Sequence, residues 1–160
     1  MDIFEYAMQM ELDGKNFYLE IESKVDTKGL KSIFSMLAND EQKHYEVLKV
    51  LRDKQPPMEQ TKVLENAKNI FAEMKDRMEE FTSPLSQTDL LKKAQGLEEK
   101  SRDFYLEKVD EVSDPYQKEI LARLAGEEKK HYFLLDNIIE FVSRPSTWLE
   151  NAEFFHLDEY

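Results

Sequence analysis

The chain states the same pattern twice. Glu11, Glu41 and His44 are followed 87 residues later by Glu98, Glu128 and His131, and the neighbouring residues match without a gap. Phe17-Tyr18-Leu19-Glu20 returns as Phe104-Tyr105-Leu106-Glu107, and Lys43-His44-Tyr45 returns as Lys130-His131-Tyr132. Lys31, Ile33, Leu37 and Ala38 return as Lys118, Ile120, Leu124 and Ala125. A chain built this way must fold as two related units. Whatever one unit contributes to a shared centre, the other contributes as well.

Each unit reads as a helical hairpin. From residue 3 to about 24 the apolar positions Phe4, Ala7, Met8, Tyr18 and Ile21 follow a helical period without proline. Asp26 and Thr27 supply a turn and an N-cap, and Leu30, Ile33, Phe34, Leu37, Leu48 and Leu51 mark a second helix that stops before Pro56-Pro57. The second copy places Leu90, Leu91, Ala94, Leu97, Phe104 and Tyr105 on a third helix and Ile120, Leu121, Leu124, Leu134, Leu135 and Ile138 on a fourth. Between them, Ser113-Asp114-Pro115 sets a capping side chain before a proline at the first helical position, where the missing N–H costs nothing.

The expected boundaries are hairpin one over 1–53, a crossover over 54–87, hairpin two over 88–143 and a terminal segment over 144–160. Val63, Ala67, Ile70, Phe71, Met74 and Met78 give the crossover a short amphipathic helix. A connection of that length can cross a bundle. Residues 147–155 form a short terminal helix at most, with Trp148, Phe154 and Phe155 able to dock on a partner surface.

Composition narrows the chemistry. With 160 residues the chain suits a single domain with an adequate core, and four glycines, five prolines and much Glu, Lys, Leu and Met favour an all-α fold. There is no cysteine, so thiolate metal sites, iron–sulfur clusters and cysteine nucleophiles are excluded from these residues. The net charge of -12 opposes nucleic acid and anionic membranes and favours cations. The first residues lack the basic and apolar regions of a secretion signal, and a cytoplasmic protein is expected.

Distance along the chain brings the repeated residues together. Glu11 and Glu41 each lie fifteen residues from residue 26, and Glu98 and Glu128 each lie fifteen from residue 113. At 1.5 Å per residue, all four carboxylates stand about 22 Å from the turns and share one level of the bundle. In each Glu-x-x-His the two side chains share a helix face, one turn apart. Glu11 and Glu98 also share faces with the core positions Ala7 and Ala94, so these carboxylates need compensation. Two divalent cations supply it: four carboxylates and two neutral imidazoles balance them. Oxygen and imidazole donors suit iron first and manganese second, while zinc could occupy the centre adventitiously.

The plainer readings separate by position. One Glu-x-x-His in a chain with 22 glutamates is weak, because roughly one histidine in seven would have it by composition. Two copies at equal offsets, each levelled with a further glutamate, are not explained by solvated ion pairing. Glu20 and Glu107 stand about half a turn away and are expected to be solvated. Tyr45 and Tyr132 are expected to pack between helices or subunits, and His156 to be exposed or interfacial. Gly14 and Ser101, one turn past Glu11 and Glu98, should leave room beside the metals. Tyr18 and Tyr105 could donate hydrogen bonds to ligand carboxylates; packing as core aromatics is the preferred reading.

These motifs resemble the ferritin-like superfamily and, within it, rubrerythrin-type diiron proteins. The resemblance rests on Glu11-x-x-Gly14-x-x-Phe17-Tyr18, Asp40-Glu41-Gln42-Lys43-His44, their second copies, and the tail Trp148-Leu149-Glu150-Asn151-Ala152-Glu153-Phe154. It implies a four-helix bundle with a long crossover, two irons held by the six repeated residues, and Glu41 and Glu128 as bridges. It also implies an oxidoreductase that reduces peroxide or dioxygen or oxidises ferrous iron, with iron storage or delivery as the alternative. Related proteins pair, so a homodimer is expected, with exchange of hairpins open to it. Rubrerythrins usually add a four-cysteine rubredoxin domain; without cysteine, electrons would come from a separate donor. They commonly carry another glutamate where Ser101 stands, which sets this chain apart in how its metals respond to redox change.

Overall fold

Asp2 opens the first helix by accepting a hydrogen bond of 2.8 Å from the Glu5 backbone N–H, and α1 then runs over Ile3–Lys24. Such a cap satisfies one of the amide groups that a helix start leaves unpaired. After three non-helical residues, α2 occupies Lys28–Leu51 and begins directly after Thr27. Helices α3 (Leu85–Glu111) and α4 (Pro115–Ser143) repeat the plan. Asp114 caps α4, its carboxylate accepting a 3.0 Å bond from the Tyr116 N–H across Pro115. The molecule is represented by a computed structural model that describes residues 2–51, 66–67, 69–70 and 85–143. Pro56-Pro57, most of the crossover, and the terminal segment with Trp148 and His156 lie outside the described residues.

A repeated lysine ties each hairpin at its turn. The Lys31 ammonium donates to the Glu22 carbonyl at 2.9 Å, and Lys118 donates to the Val109 carbonyl at 2.7 Å. Both acceptors lie in the last turn of the preceding helix, where carbonyls lack intrahelical partners. The duplication therefore reaches beyond the ligand motifs to the hairpin closure itself.

The hairpins meet with α1 antiparallel to α3 and α2 antiparallel to α4. Tyr18 reaches Glu98 while Tyr105 reaches Glu11, so residue numbers rise on one helix as they fall on the other. Asp40 with His131, and His44 with Glu128, give the same order for the second pair. The two turns consequently stand at opposite ends of an all-α four-helix bundle. No helix of the described residues is long and apolar enough to cross a membrane.

Apolar packing is divided between those ends. One cluster gathers Ile21, Val25, Leu30, Phe34, Leu91, Leu134 and Phe141 by the first turn, with Ala67 and Ile70 of the crossover against it. The other gathers Phe4, Leu48, Leu51, Ile120, Leu121 and Leu124 by the second turn. Each fully buried side chain of this kind contributes about 1.5–3 kcal/mol. That burial has to offset the polar layer that lies between the clusters. Helix α3 starts at Leu85, three residues ahead of the expected boundary at 88.

Candidate metal centre

Six side chains fill the layer between the apolar clusters, and all are buried: Glu11, Glu41, His44, Glu98, Glu128 and His131. They are the six repeated residues, one from each of α1 and α3 and two from each of α2 and α4. Their donor atoms form two overlapping groups. Glu11, Glu41, His44 and Glu128 offer atoms within 4.8 Å of one another, and so do Glu41, Glu98, Glu128 and His131. Glu41 and Glu128 belong to both groups, so each can reach two positions at once. Glu11 and His44 serve one position only, Glu98 and His131 the other.

The imidazoles are aimed in the same way in both halves. His44 turns Nδ1 to Glu128 at 3.0 Å and Glu11 at 3.4 Å. His131 turns Nδ1 to Glu41 at 2.9 Å and Glu98 at 3.3 Å. In each case the nitrogen nearest the carboxylates faces the centre. The remaining nitrogen of His131, Nε2, lies 2.9 Å from the Asp40 carboxylate, which fixes the ring by accepting its proton. The two rings stack with centroids 5.8 Å apart.

Two tyrosines cross between hairpins to hold the outer carboxylates. Tyr105 donates to Glu11 Oε1 at 2.5 Å, and Tyr18 donates to Glu98 Oε1. The preference for a purely packing role is corrected here. Both rings are buried in apolar surroundings, and both hydroxyls are committed to a carboxylate on the opposite unit. The two roles coincide because a phenol places its polar group at the far end of an apolar ring. Glu20 is exposed and pairs with Lys24 at 2.9 Å, and Glu107 is exposed as well.

So many carboxylates in one buried layer distort its titration. Burial pushes the Glu41 and Glu128 carboxyls well above the usual range, and the neighbouring carboxylates, Glu11 first, push them further. Burial acts on Glu11 too, but the adjacent His44 imidazole, with Glu41 beside it and the Tyr105 hydroxyl bonded to it, outweighs burial and holds that carboxyl at about 2. Burial would lower the His131 imidazole; Glu98, Asp40 and Glu128 reverse this and raise it well above its ordinary value. Burial and the adjacent carboxylates raise both tyrosines. Raised carboxyl and imidazole values mean that the layer retains protons.

Protons do not satisfy the layer. Glu11 Oε2, Glu41 Oε1, both ring nitrogens of His44, Glu98 Oε2 and Glu128 Oε1 are buried without a hydrogen-bond partner. The 2.9 Å approach of His131 to Glu41 is close but not aligned as a hydrogen bond. Buried polar atoms are seldom left this way, and an ion that takes several of them at once resolves all of them together. All of these atoms sit on residues of the two four-residue groups. The donor set therefore fits two divalent cations with oxygen and imidazole ligands.

Gly14 lets the Glu41 carboxylate come close to α1. A Cβ at that position would stand 3.0 Å from Glu41 Oε2, inside ordinary contact. The space expected beside the metals is thus taken partly by the Glu41 carboxylate. The rest opens to the surface as a cleft of about 250 Å³ between α1 and α3, with Gly14 and Ser101 on its walls and Glu41, Glu98 and Glu128 at its base.

The profile described as Rubrerythrin matches residues 2–139. The chain belongs to the rubrerythrin family. Over 89% of its length and 89% of the other chain, this rubrerythrin-family protein is similar to a solved structure of a hypothetical protein from Pyrococcus furiosus, with a TM-score of 0.67 and 21% identity. At that identity the likeness concerns the fold alone. No curated protein matches the chain.

Sequence reasoning passed over Asp40 and Glu127. Both are buried, and they occupy equivalent places in the repeat, directly before Glu41 and Glu128. An acidic residue ahead of each shared glutamate was visible in the sequence. What could not be seen was that Asp40 reaches across to the histidine of the other hairpin, while Glu127 takes the Lys130 ammonium at 3.3 Å.

Proposed function

We propose that this protein is a non-haem diiron oxidoreductase that reduces peroxide or dioxygen at the centre formed by the six repeated residues. The observation that carries the reading is the sharing of Glu41 and Glu128 by two ligand groups. Isolated single-metal sites have no need of shared carboxylates. Glu11 and His44 would hold one ion and Glu98 and His131 the other, with iron first by donor type, manganese second and zinc adventitious. Bound iron supplies one-electron redox change and Lewis acidity at each position.

The chain's own residues do the rest. Tyr105 and Tyr18 fix the outer carboxylates from the opposite hairpin, and Asp40 keeps the His131 Nε2 proton so that Nδ1 faces the centre. The α1–α3 cleft lets a small oxidant approach Glu41, Glu98 and Glu128 while the apolar clusters keep water from the other sides. With no cysteine among the 160 residues, the electrons come from outside this bundle. Ferrous iron is the other substrate that this centre suits.

The test is anaerobic reconstitution with ferrous iron, followed by metal analysis and reaction with hydrogen peroxide and dioxygen. We expect about two irons per chain and oxidation of the pair by one of these oxidants. A protein that binds no iron ends the proposal, and loading far beyond two irons per chain replaces it with storage.

A further inference from the structure

We propose that the α1–α3 cleft binds the organic part of an uncharged alkyl or aryl hydroperoxide, so that the preferred oxidant is R–O–O–H rather than hydrogen peroxide. The reaction rests on the reading above; binding in the cleft does not.

Size is the first argument. The cleft holds about 250 Å³. A water molecule accounts for about 30 Å³ of liquid, so hydrogen peroxide needs only a small part of that space, whereas an apolar cavity of about 150 Å³ already accepts benzene. A channel selected for hydrogen peroxide alone has no use for the remainder.

The lining is the second argument. Tyr6, Leu19, Leu97 and Leu106 are the large apolar side chains that stand exposed among the described residues, and two of the four line this cleft. Tyr6 on α1 is 41% exposed and Leu97 on α3 is 40% exposed, with Met10 beside them. Tyr6 is braced by Phe104, ring centroids 4.9 Å apart, so this wall is held in place. The mouth is mixed, with Tyr6, Met10 and Leu97 beside Gln9, Asp13 and Lys100, and it leads to carboxylates at the base. This arrangement suits a molecule with an apolar body and one oxygen-rich end. Three glutamates at the base and a net charge of -12 disfavour an anionic substituent.

Small residues give the oxygen-rich end its path. Gly14 admits no side chain without meeting Glu41, and Ser101 occupies the corresponding place on α3. Iron held by the six repeated residues would supply the two electrons that, with two protons, break the O–O bond. The products are R–O–H and water, and the separate one-electron donor restores the ions.

Cumyl alcohol, the unreactive product of cumene hydroperoxide, tests binding without turnover. Added to the metal-free full chain carrying methyl-labelled methionine, it should shift the Met10 signal saturably, and Leu97→Trp and Ser101→Leu should each remove that shift. In iron-loaded protein with excess reductant, the ratio of kcat/KM for cumene hydroperoxide to that for hydrogen peroxide should fall about tenfold in each variant. Absence of a saturable Met10 shift, or an unchanged ratio, overturns the proposal while leaving the diiron reading in place. Alcohol binding without consumption of either peroxide overturns the hydroperoxide assignment, and if dioxygen is not consumed either, the diiron oxidoreductase reading falls with it.

Discussion

Tyr105 shows how one hydroxyl can serve both packing and chemistry. Its ring completes the apolar cluster by the second turn, and its O–H crosses to Glu11 on the other hairpin. A hydrogen bond to an ionised group contributes about 1.5–3 kcal/mol, and loss of a group that orients a metal ligand costs about ten- to a hundredfold in affinity. Tyr105→Phe should therefore keep the fold and weaken divalent-metal binding by about ten- to a hundredfold, as read by chelator competition. Wild-type affinity in that variant would reduce Tyr105 to a packing residue. Repeat position and helix face made the tyrosines legible as candidates. Their targets were not legible, because they lie 94 and 80 residues away on the antiparallel helix.

At the scale of a helix, Gly14 opposes propensity to geometry. Glycine within a helix costs about 0.5–1 kcal/mol relative to alanine, so an unconstrained helix gains by replacing it. Here the added Cβ would meet Glu41 Oε2 at 3.0 Å. In the metal-free protein the end of a flexible side chain can swing aside; ions held by the two groups that share Glu41 would fix that carboxylate. Gly14→Ala should therefore leave the melting temperature of the metal-free protein equal or higher, and lower metal affinity measurably in the same chelator competition. Equal affinity in both proteins would show that Glu41 does not bridge. Helix positions and turns were readable from apolar period, Asp114-Pro115 and the repeat, since those are local signals. The start of α3 at Leu85 was not, because no apolar face distinguishes its first turn.

For the molecule as a whole, the buried layer makes stability depend on pH in a direction set by its charges. The folded-state carboxyls of Glu41 and Glu128 lie well above 4.5, so the folded protein binds more protons than the unfolded chain above that pH, and stability falls as pH rises. The raised His131 imidazole adds to the loss from about pH 6.5 upward. Glu11, held at about 2, works oppositely and withdraws stability only as pH falls from 4.5 toward 2. Thermal melts of the metal-free protein should thus peak near pH 4.5 and decline toward pH 9. Bound divalent cations compete with the protons for the same carboxylates and should turn that decline into a rise. A metal-free melting temperature that climbs from pH 5 to pH 8 would contradict this account. The sequence revealed which six residues share a level because helix rise converts residue number into height. It concealed the cleft and the crossing partners, which depend on how the hairpins face each other. The repeated lysine clasp, Lys31 on the Glu22 carbonyl and Lys118 on the Val109 carbonyl, has a further consequence. Because both halves close alike, each molecule contains its own matched control. A substitution in one copy can be compared with its mate 87 residues away under identical solvent, temperature and metal concentration, and any difference between the pair belongs to the places where the copies have diverged.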